Sequence, residues 1–186
     1  MCIRDRPNAG KSSLVRAVSS AKPKVADYAF TTLHPSLGVV DYSENSSFVI
    51  SDIPGLIAGA SEGIGLGIQF LKHLSRTKVI VQIVDVYEKE PNEIIEEIKV
   101  LSKEITNFDP MLINKVKWLA LNKIDLISGD NLEELKSELE NQYKDNLNIY
   151  CISAAKKEGT QQLMRDIGEF MELSLIHISE PTRPLY

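Results

Sequence analysis

The stretch that decides the fold reads Val116-Lys117-Trp118-Leu119-Ala120-Leu121-Asn122-Lys123-Ile124-Asp125. Its first six residues are mostly apolar, which is typical of a short strand buried on both faces of a parallel sheet. Asn122-Lys123-Ile124-Asp125, polar at three of its four positions, follows directly at the carboxyl end of that strand. In open α/β sheets this edge is where ligands bind. The stretch therefore predicts an α/β fold with a binding site just after the strand.

Apolar runs alternate with helical patterns along the rest of the chain. We predict paired strands over 37–41 and 47–51, and further strands over 79–84, 116–121 and 148–152. Apolar residues at helical spacing predict helices over 91–106, 131–142 and 160–171. Strands that alternate with helices favour a doubly wound, mostly parallel sheet with helices on both faces.

Size and charge are those of one soluble domain. The 186 residues carry a formal net charge of −5, so nothing in the overall charge attracts nucleic acid or an anionic membrane. No apolar stretch approaches the roughly 20 residues of a membrane-spanning helix. The cysteines are Cys2 and Cys151, and the apolar surroundings of Cys151 favour a buried free thiol over a disulfide. We expect a cytoplasmic monomer with no membrane or disulfide partner.

A phosphate-binding loop of the form GxxxxGKS is indicated by Pro7-Asn8-Ala9-Gly10-Lys11-Ser12-Ser13, which leads into a helical stretch. Backbone N–H groups of such a loop surround a phosphate, Lys11 adds positive charge, and the Ser12 hydroxyl would ligate Mg²⁺. Asp5 stands where the first glycine of the loop belongs, and its charge and its Cβ both oppose a tight turn around phosphate. The motif predicts the P-loop NTPase fold, with a phosphate site weakened at Asp5.

Asp125 predicts which base is bound. Guanine presents N1–H and N2–H₂ donors, which one carboxylate accepts as a pair. Adenine would leave a buried carboxylate unsatisfied, a mismatch worth on the order of 10⁴-fold. Asn122 and Lys123 would tie this base loop to the phosphate loop and cover the base plane. Ser153-Ala154-Ala155 follows the last strand and would offer backbone N–H groups to guanine O6. Together the motifs predict a pocket for GTP and GDP.

A γ-phosphate sensor is expected at Asp52-Ile53-Pro54-Gly55, directly after a strand. Asp52 would hold a Mg²⁺-bound water, and the N–H of Gly55 would reach the γ-phosphate. Many GTPases place a glutamine next, to orient the attacking water, whereas this chain has Leu56, which predicts slow hydrolysis. The glycine-rich run 55–67 is interpreted as a switch that orders with the γ-phosphate.

A first switch is expected at Phe30-Thr31-Thr32. The Thr32 hydroxyl would complete the Mg²⁺ shell when GTP is bound, and Thr31 remains its rival for that role. The predicted reaction is in-line attack of water on the γ-phosphate, for which we assign Lys11, Thr32 and Gly55 as catalytic. Two other functions stay open: a module whose GTP-bound state recruits a partner with negligible turnover, and an ATPase of the same fold.

The segments 22–28, 30–33, 37–40, 52–57 and 65–74 resemble the G domain of the bacterial Obg family, and the resemblance extends over roughly residues 7–173. It implies a role in late assembly of the large ribosomal subunit. It also implies Mg²⁺ ligation by the hydroxyls of Ser12 and Thr32.

This chain departs from the Obg pattern at Asp5, Arg6, Ala29 and Ala58. Asn8 is similar to an asparagine that binds K⁺ in cation-activated GTPases that lack the glutamine, which implies a K⁺ site near Asn8. Residues 1–6 should form the first strand, yet they carry three charges in six residues, which makes them a poor strand, and residues 174–186 match no element that the fold needs. We expect both to be non-native ends around a G domain over 7–173 whose first strand is missing or replaced. The end that contains Pro181 and Pro184 is expected to break the preceding helix.

Overall fold

The computed structural model describes residues 2–4, 9–20, 24–25, 36–52, 77–143 and 147–179. Its strands are β1 (Cys2–Arg4), β2 (Lys24–Val25), β3 (Ser36–Ser43), β4 (Ser46–Asp52), β5 (Ile80–Asp85), β6 (Val116–Asn122) and β7 (Asn148–Ile152). Its α-helices are α1 (Lys11–Val18), α2 (Pro91–Phe108), α3 (Gly129–Gln142) and α4 (Thr160–Ser179). Short 3₁₀ turns span Leu112–Lys115 and Ile124–Leu126.

The strands form one seven-stranded sheet in the order β2-β3-β4-β1-β5-β6-β7. The β1 strand lies in the middle and pairs in parallel with β4 and β5, and β5, β6 and β7 continue the parallel ladder. The β3 strand pairs antiparallel with both β2 and β4, so one edge of the sheet is a meander. The predicted doubly wound, mostly parallel α/β fold is confirmed.

Two apolar cores lie on opposite faces of this sheet. On one face Leu14 and Val15 of α1 pack with Leu163 and Ile167 of α4. On the other face α2 and α3 contribute a second set, Ile94, Ile98, Leu135 and Leu139. The central strands supply both cores, because successive strand side chains point to opposite faces. This double burial explains why β5 and β6 are nearly continuous apolar runs in the sequence.

The parallel register brings the ends of three strands to one edge of the sheet. Asp85, the last residue of β5, is paired with Asn122, the last residue of β6, and Asn122 is paired with Ile152, the last residue of β7. The polar residues that follow these strands therefore lie next to one another. This is the edge at which the sequence predicts the binding site.

Most predicted elements are found within one or two residues of their expected bounds, and two differ. The last helix continues to Ser179, whereas the sequence predicted that it is broken near Ser174. No helix-breaking residue occurs between Ser174 and Pro181, so the helix has no local reason to stop earlier. Residues 2–4 form the central strand β1, although the sequence marked them as a poor strand. The domain bounds 1–6, 7–173 and 174–186 stay a prediction.

The burial of Cys151 differs from what the sequence predicts. Its thiol is free, as expected, but the residue is only half-buried rather than fully buried. Desolvation by the surrounding apolar residues raises the pKa of the Cys151 thiol, so it stays protonated and weakly nucleophilic near neutral pH. Within the residues that the structure describes, no helix is long and apolar enough to span a membrane.

Candidate functional site

Asn122 joins three separate elements at the carboxyl edge of the sheet. Its side-chain amide nitrogen donates to the carbonyl oxygen of Ala9 at 2.8 Å. Its side-chain oxygen accepts the backbone N–H of Ala154 at 3.0 Å. The residue is 2% exposed, so both hydrogen bonds are made away from water, where an unmade bond is costly. Asn122 therefore links the loop before α1 to the turns that follow β6 and β7.

Gly10 is the residue at which the phosphate loop turns into α1. Its backbone has φ 92° and ψ 20°, a left-handed conformation that L-residues with a Cβ avoid. A Cβ added at Gly10 would also overlap the amide nitrogen of Asn122. Two independent constraints therefore require glycine here. The second constraint arises because the start of α1 lies directly against Asn122.

The first turn of α1 is built to receive an anion. The helix begins at Lys11, and no side chain caps its N-terminus. Backbone N–H groups in an uncapped first turn have no partner within the helix, and the helix dipole adds positive potential there. Lys11 is 8% exposed and contributes its charge in the same turn. These features fit a phosphate group.

Ser12, in the first turn of α1, contacts Asp52, the last residue of β4, although they are 40 residues apart in the chain. The Ser12 hydroxyl donates to one carboxylate oxygen, Oδ2 of Asp52. Asp52 is 7% exposed, and its Oδ1 has no hydrogen-bond partner among the described residues. A buried carboxylate oxygen without a donor, next to a hydroxyl, is a donor set that suits Mg²⁺. No group of three His, Cys, Asp or Glu side chains occurs in the described part of the chain, and Mg²⁺ at phosphate sites needs only one or two protein ligands.

The base loop after β6 is held in an unusual backbone conformation. Lys123 has φ 71° and ψ 32°, in the left-handed region, and the 3₁₀ turn Ile124–Leu126 follows. The side chain of Asp125 is 11% exposed, and its Oδ2 lies 4.0 Å from the ammonium nitrogen of Lys156. Lys156 is 64% exposed, so solvent weakens this attraction. The carboxylate of Asp125 is thus largely desolvated at the edge of the sheet.

The turn after β7 is fixed by its own hydrogen bonds. Ser153 and Glu158 exchange both backbone hydrogen bonds, at 3.0 and 3.1 Å. The Ser153 hydroxyl oxygen also accepts the N–H of Lys156 at 3.1 Å. Ser153 and Ala154 are buried, whereas Ala155 is exposed. The turn is therefore rigid where it meets Asn122 and open at its tip.

The structure brings part of the predicted site together and leaves part undescribed. The residues it places at this edge are Ala9, Gly10, Lys11, Ser12, Ser13, Asp52, Asn122, Lys123, Ile124, Asp125, Ser153, Ala154 and Ala155. Those that lie outside the described residues are Asn8, Phe30, Thr31, Thr32, Ile53, Pro54 and Gly55.

Sequence reasoning missed Asp85. Its carboxylate forms an ion pair with the ammonium group of Lys123, a residue that we expected to tie the base loop to the phosphate loop. The available signal was weak, because a single acidic residue after an apolar strand is common. Only the pairing of β5 with β6 shows that the two residues are neighbours.

The class of protein follows from three features of this edge. Helix α1 is uncapped and starts at a left-handed glycine, it lies next to a turn held by Asn122, and both lie at the edge of a mostly parallel sheet. These are the features of a P-loop nucleotide-binding domain. A family model described as the 50S ribosome-binding GTPase matches residues 1–123, about two thirds of the chain. The chain belongs to this family, and its domain is a GTP-binding GTPase domain.

Solved structures support the fold. The G domain of the T. maritima FeoB iron transporter superposes with a TM-score of 0.66 at 21% identity, over 91% of this chain and 96% of that one. A nucleolar GTP-binding protein 1 from Plasmodium falciparum has a TM-score of 0.64 at 22% identity, over 95% of this chain and 90% of that one. A GDP-bound NFeoB mutant from S. thermophilus has a TM-score of 0.63 at 20% identity. The match covers 89% of this chain and 58% of the NFeoB chain. At these identities the likeness is one of fold.

Proposed function

We propose that this chain binds GTP and GDP at the carboxyl edge of its sheet and hydrolyses GTP slowly with the help of Mg²⁺. The observation that supports this most is Asn122, whose single buried side chain links the phosphate loop at Ala9 to the turn at Ala154. A nucleotide has a phosphate end and a base end. The residues proposed for each end are held together by this one amide.

In the phosphate half, Asn8, Ala9, Gly10, Lys11, Ser12 and Ser13 surround the phosphates. The first-turn N–H groups of α1 and the charge of Lys11 hold them, as helix N-termini do. Ser12, Thr32 and, through a water molecule, Asp52 would hold Mg²⁺. When bound, Mg²⁺ neutralises charge on the phosphate oxygens.

In the base half, Asn122, Lys123, Ile124 and Asp125 face the base, and backbone N–H groups of the 153–155 turn donate to guanine O6. The carboxylate of Asp125 is poorly exposed, so a base that gives it no donors leaves it unsatisfied. Guanine supplies two donors to that position, whereas adenine supplies none. This argues against the alternative of an ATPase.

Hydrolysis is proposed as in-line attack of water on the γ-phosphate, with charge stabilised by Lys11 and by the N–H of Gly55. Phe30, Thr31, Thr32, Ile53 and Pro54 belong to the two switch segments. Leu56 cannot orient the water, so turnover should be slow. A K⁺ ion near Asn8 is proposed to supply the positive charge that an arginine finger supplies in other GTPases, and equal turnover in Na⁺ and K⁺ would contradict it.

The Obg-like segments favour the large ribosomal subunit as partner and the cytoplasm as location. The competing function is a module whose GTP-bound state recruits its partner with negligible turnover. Single-turnover GTP hydrolysis, measured with and without large ribosomal subunits, separates the two. A GTPase that acts in subunit assembly is expected to hydrolyse GTP faster when subunits are present. A pure binding module would show the same negligible rate with and without them.

The substitution Asp125→Asn tests the proposed base recognition. An asparagine side chain can accept the N1–H of xanthine and donate to its C2 carbonyl. Against guanine, the NH₂ group of asparagine would face the N2–H₂ group of the base, so two donors would meet. We expect GDP affinity to fall by on the order of 10²-fold or more and affinity for xanthosine diphosphate to rise. Competition against labelled nucleotide measures both, and Asp130→Asn on exposed α3 is the control. Unchanged preference for GDP in Asp125→Asn would remove Asp125 from the base site.

Asp5→Gly tests the weakened phosphate loop. Glycine at position 5 restores the loop pattern and removes a negative charge from the phosphate-binding sequence, so GDP affinity should rise by roughly tenfold, about 1.4 kcal/mol. Titration of labelled GDP into both proteins measures the change. Equally tight binding by the unmodified chain would show that Asp5 does no harm.

A further inference from the structure

Asp85 contacts the base loop from the neighbouring strand. Its carboxylate pairs with the ammonium group of Lys123 through Oδ2, while its Oδ1 accepts the backbone N–H of Tyr87 at 3.0 Å. The side chain of Asp85 is 17% exposed and that of Lys123 is 32% exposed. The two carboxylate oxygens thus have separate tasks. One organises the turn after β5, and the other holds a lysine in the loop after β6.

The backbone of the two loops is joined at the same place. The N–H of Val86 donates to the carbonyl oxygen of Asn122 at 3.1 Å. The carbonyl of Lys123 then accepts the N–H of Leu126 at 3.0 Å, which closes the 3₁₀ turn. Lys123 itself has φ 71°, a conformation that persists in a residue with a Cβ only where its surroundings enforce it. Asp85 is part of those surroundings.

An ion pair of this exposure contributes little to folding stability, because solvent screens it and two side chains must be ordered. Its effect on ligand binding is different. A lysine side chain that is already ordered loses less conformational freedom when a ligand packs against it. A contact that is nearly neutral for folding can therefore matter for affinity.

We propose that Asp85 is a positioning residue for the base: it holds Lys123 so that the aliphatic chain of Lys123 covers the base plane. This inference rests on the proposed function. The role of Asp85 is indirect, since it acts through Lys123. Loss of its charge should free the lysine and speed the release of GDP, while the fold remains intact.

Asp85→Asn is the test variant, because its side-chain oxygen still accepts the N–H of Tyr87 while the charge that holds Lys123 is gone. We expect the Kd for labelled GDP to rise roughly three- to tenfold, mainly through faster release, with little change in the urea midpoint. Glu97→Gln is the matched control. It breaks the Lys89–Glu97 pair at 2.6 Å, whose carboxylate is more buried at 7% exposed, so it should lower the urea midpoint and leave the Kd unchanged.

A double variant decides whether Asp85 acts through Lys123. In a Lys123→Met background, Asp85→Asn should have no further effect on the Kd, whereas a purely structural Asp85 would show the same effect with or without the lysine. Equal GDP affinity of the unmodified chain and Asp85→Asn overturns the inference and leaves the proposed function standing. No GDP binding by the unmodified chain overturns the proposed function, and this inference with it.

Discussion

The base half of the site is braced by contacts between strand ends, whereas the phosphate half depends on the start of one helix. In the base half, Asn122 and the Asp85–Lys123 pair connect the loops after β5, β6 and β7. In the phosphate half, the described features include the left-handed turn at Gly10, the hydrogen bond between Ser12 and Asp52, and the Ala9 carbonyl that accepts from Asn122. The difference indicates that the base half is preformed by the sheet.

The same comparison separates two kinds of sensitivity. Substitutions in the base half leave buried polar groups without hydrogen-bond partners, so they should lower both folding stability and nucleotide affinity. Damage at Ser12 in the phosphate half should act mainly on the nucleotide and its ion, since Ser12 is exposed and α1 is short. Four substitutions break or sharpen this contrast.

Asn122→Ala is expected to have the largest effect. It leaves the carbonyl of Ala9 and the N–H of Ala154 without their partner in a buried setting, at about 1–3 kcal/mol for each group. The free energy of unfolding should fall by about 2–6 kcal/mol, and GDP binding should be lost. Urea denaturation and GDP titration measure the two effects.

Asn148→Ala is the matched control for Asn122→Ala, because the amide of Asn148 is exposed and donates to the carbonyl of Lys117 at 3.3 Å. It should change stability by less than about 0.5 kcal/mol. Equal losses of stability in the two variants would mean that the buried hydrogen bonds of Asn122 contribute no more than the exposed one of Asn148.

Gly10→Ala comes second. A Cβ here meets an unfavourable φ of 92°, which costs about 1–2 kcal/mol, and it overlaps the amide of Asn122. We expect lower stability and at least a tenfold loss of GDP affinity, about 1.4 kcal/mol. Gly129→Ala controls for the added methyl group, because nothing lies within 4 Å of its new Cβ. If both variants bind GDP like the unmodified chain, the two halves are not in close contact.

Ser12→Ala should act on the ion alone. The substitution removes a hydroxyl that contacts Asp52, and loss of a single metal-site contact commonly costs 10–100-fold in metal affinity. Added Mg²⁺ should slow GDP release from the unmodified chain, and this slowing should shrink by about tenfold in the variant. Stopped-flow release at several Mg²⁺ concentrations tests this. Ser20→Ala is the control, because the exposed Ser20 hydroxyl lies beyond the end of α1 and donates to the carbonyl of Val39. An unchanged Mg²⁺ dependence would exclude Ser12 as a ligand.

Tyr42→Phe should have the smallest effect, far from both halves. The hydroxyls of Tyr42 and Ser46 donate to the carboxylate of Glu172, and these hydrogen bonds lower the pKa of Glu172 from its ordinary 4.5. The stabilisation is therefore present above pH 4.5 and is lost as the pH falls through the lowered pKa. Urea midpoints of the two proteins should differ slightly at pH 7 and converge below pH 4.5, with GDP affinity unaffected. A gap that widens in acid would contradict this.

Much of the fold was predictable because its signals are local. The run that ends at Asn122 is buried on both faces, and such runs alternate with amphipathic helices. The end of α4 was predicted wrongly, because a change in composition near Ser174 was given more weight than the absence of a helix breaker. Position in the sheet, as for β1, depends on pairing rather than on local propensity.

The site was predictable as a set of motifs and less so as a set of contacts. Asn122, Lys123 and Asp125 form one short motif, and its place after a strand was enough to predict their surroundings. The Asp85–Lys123 pair joins residues 38 positions apart and depends on strand register, which sequence spacing does not reveal. Thr31 and Thr32 are adjacent and carry the same hydroxyl group, so the sequence does not decide which of them would ligate Mg²⁺.

The central claim is that the two halves, joined by Asn122, form one pocket for a guanine nucleotide. The most direct test is a titration of the unmodified chain with labelled GDP, followed by competition with unlabelled GDP and ADP. The account predicts that GDP displaces the label and that ADP fails to do so even at a large excess, on the order of 10³-fold. Displacement by ADP at the same concentrations as GDP, or no binding of the label at all, would contradict it.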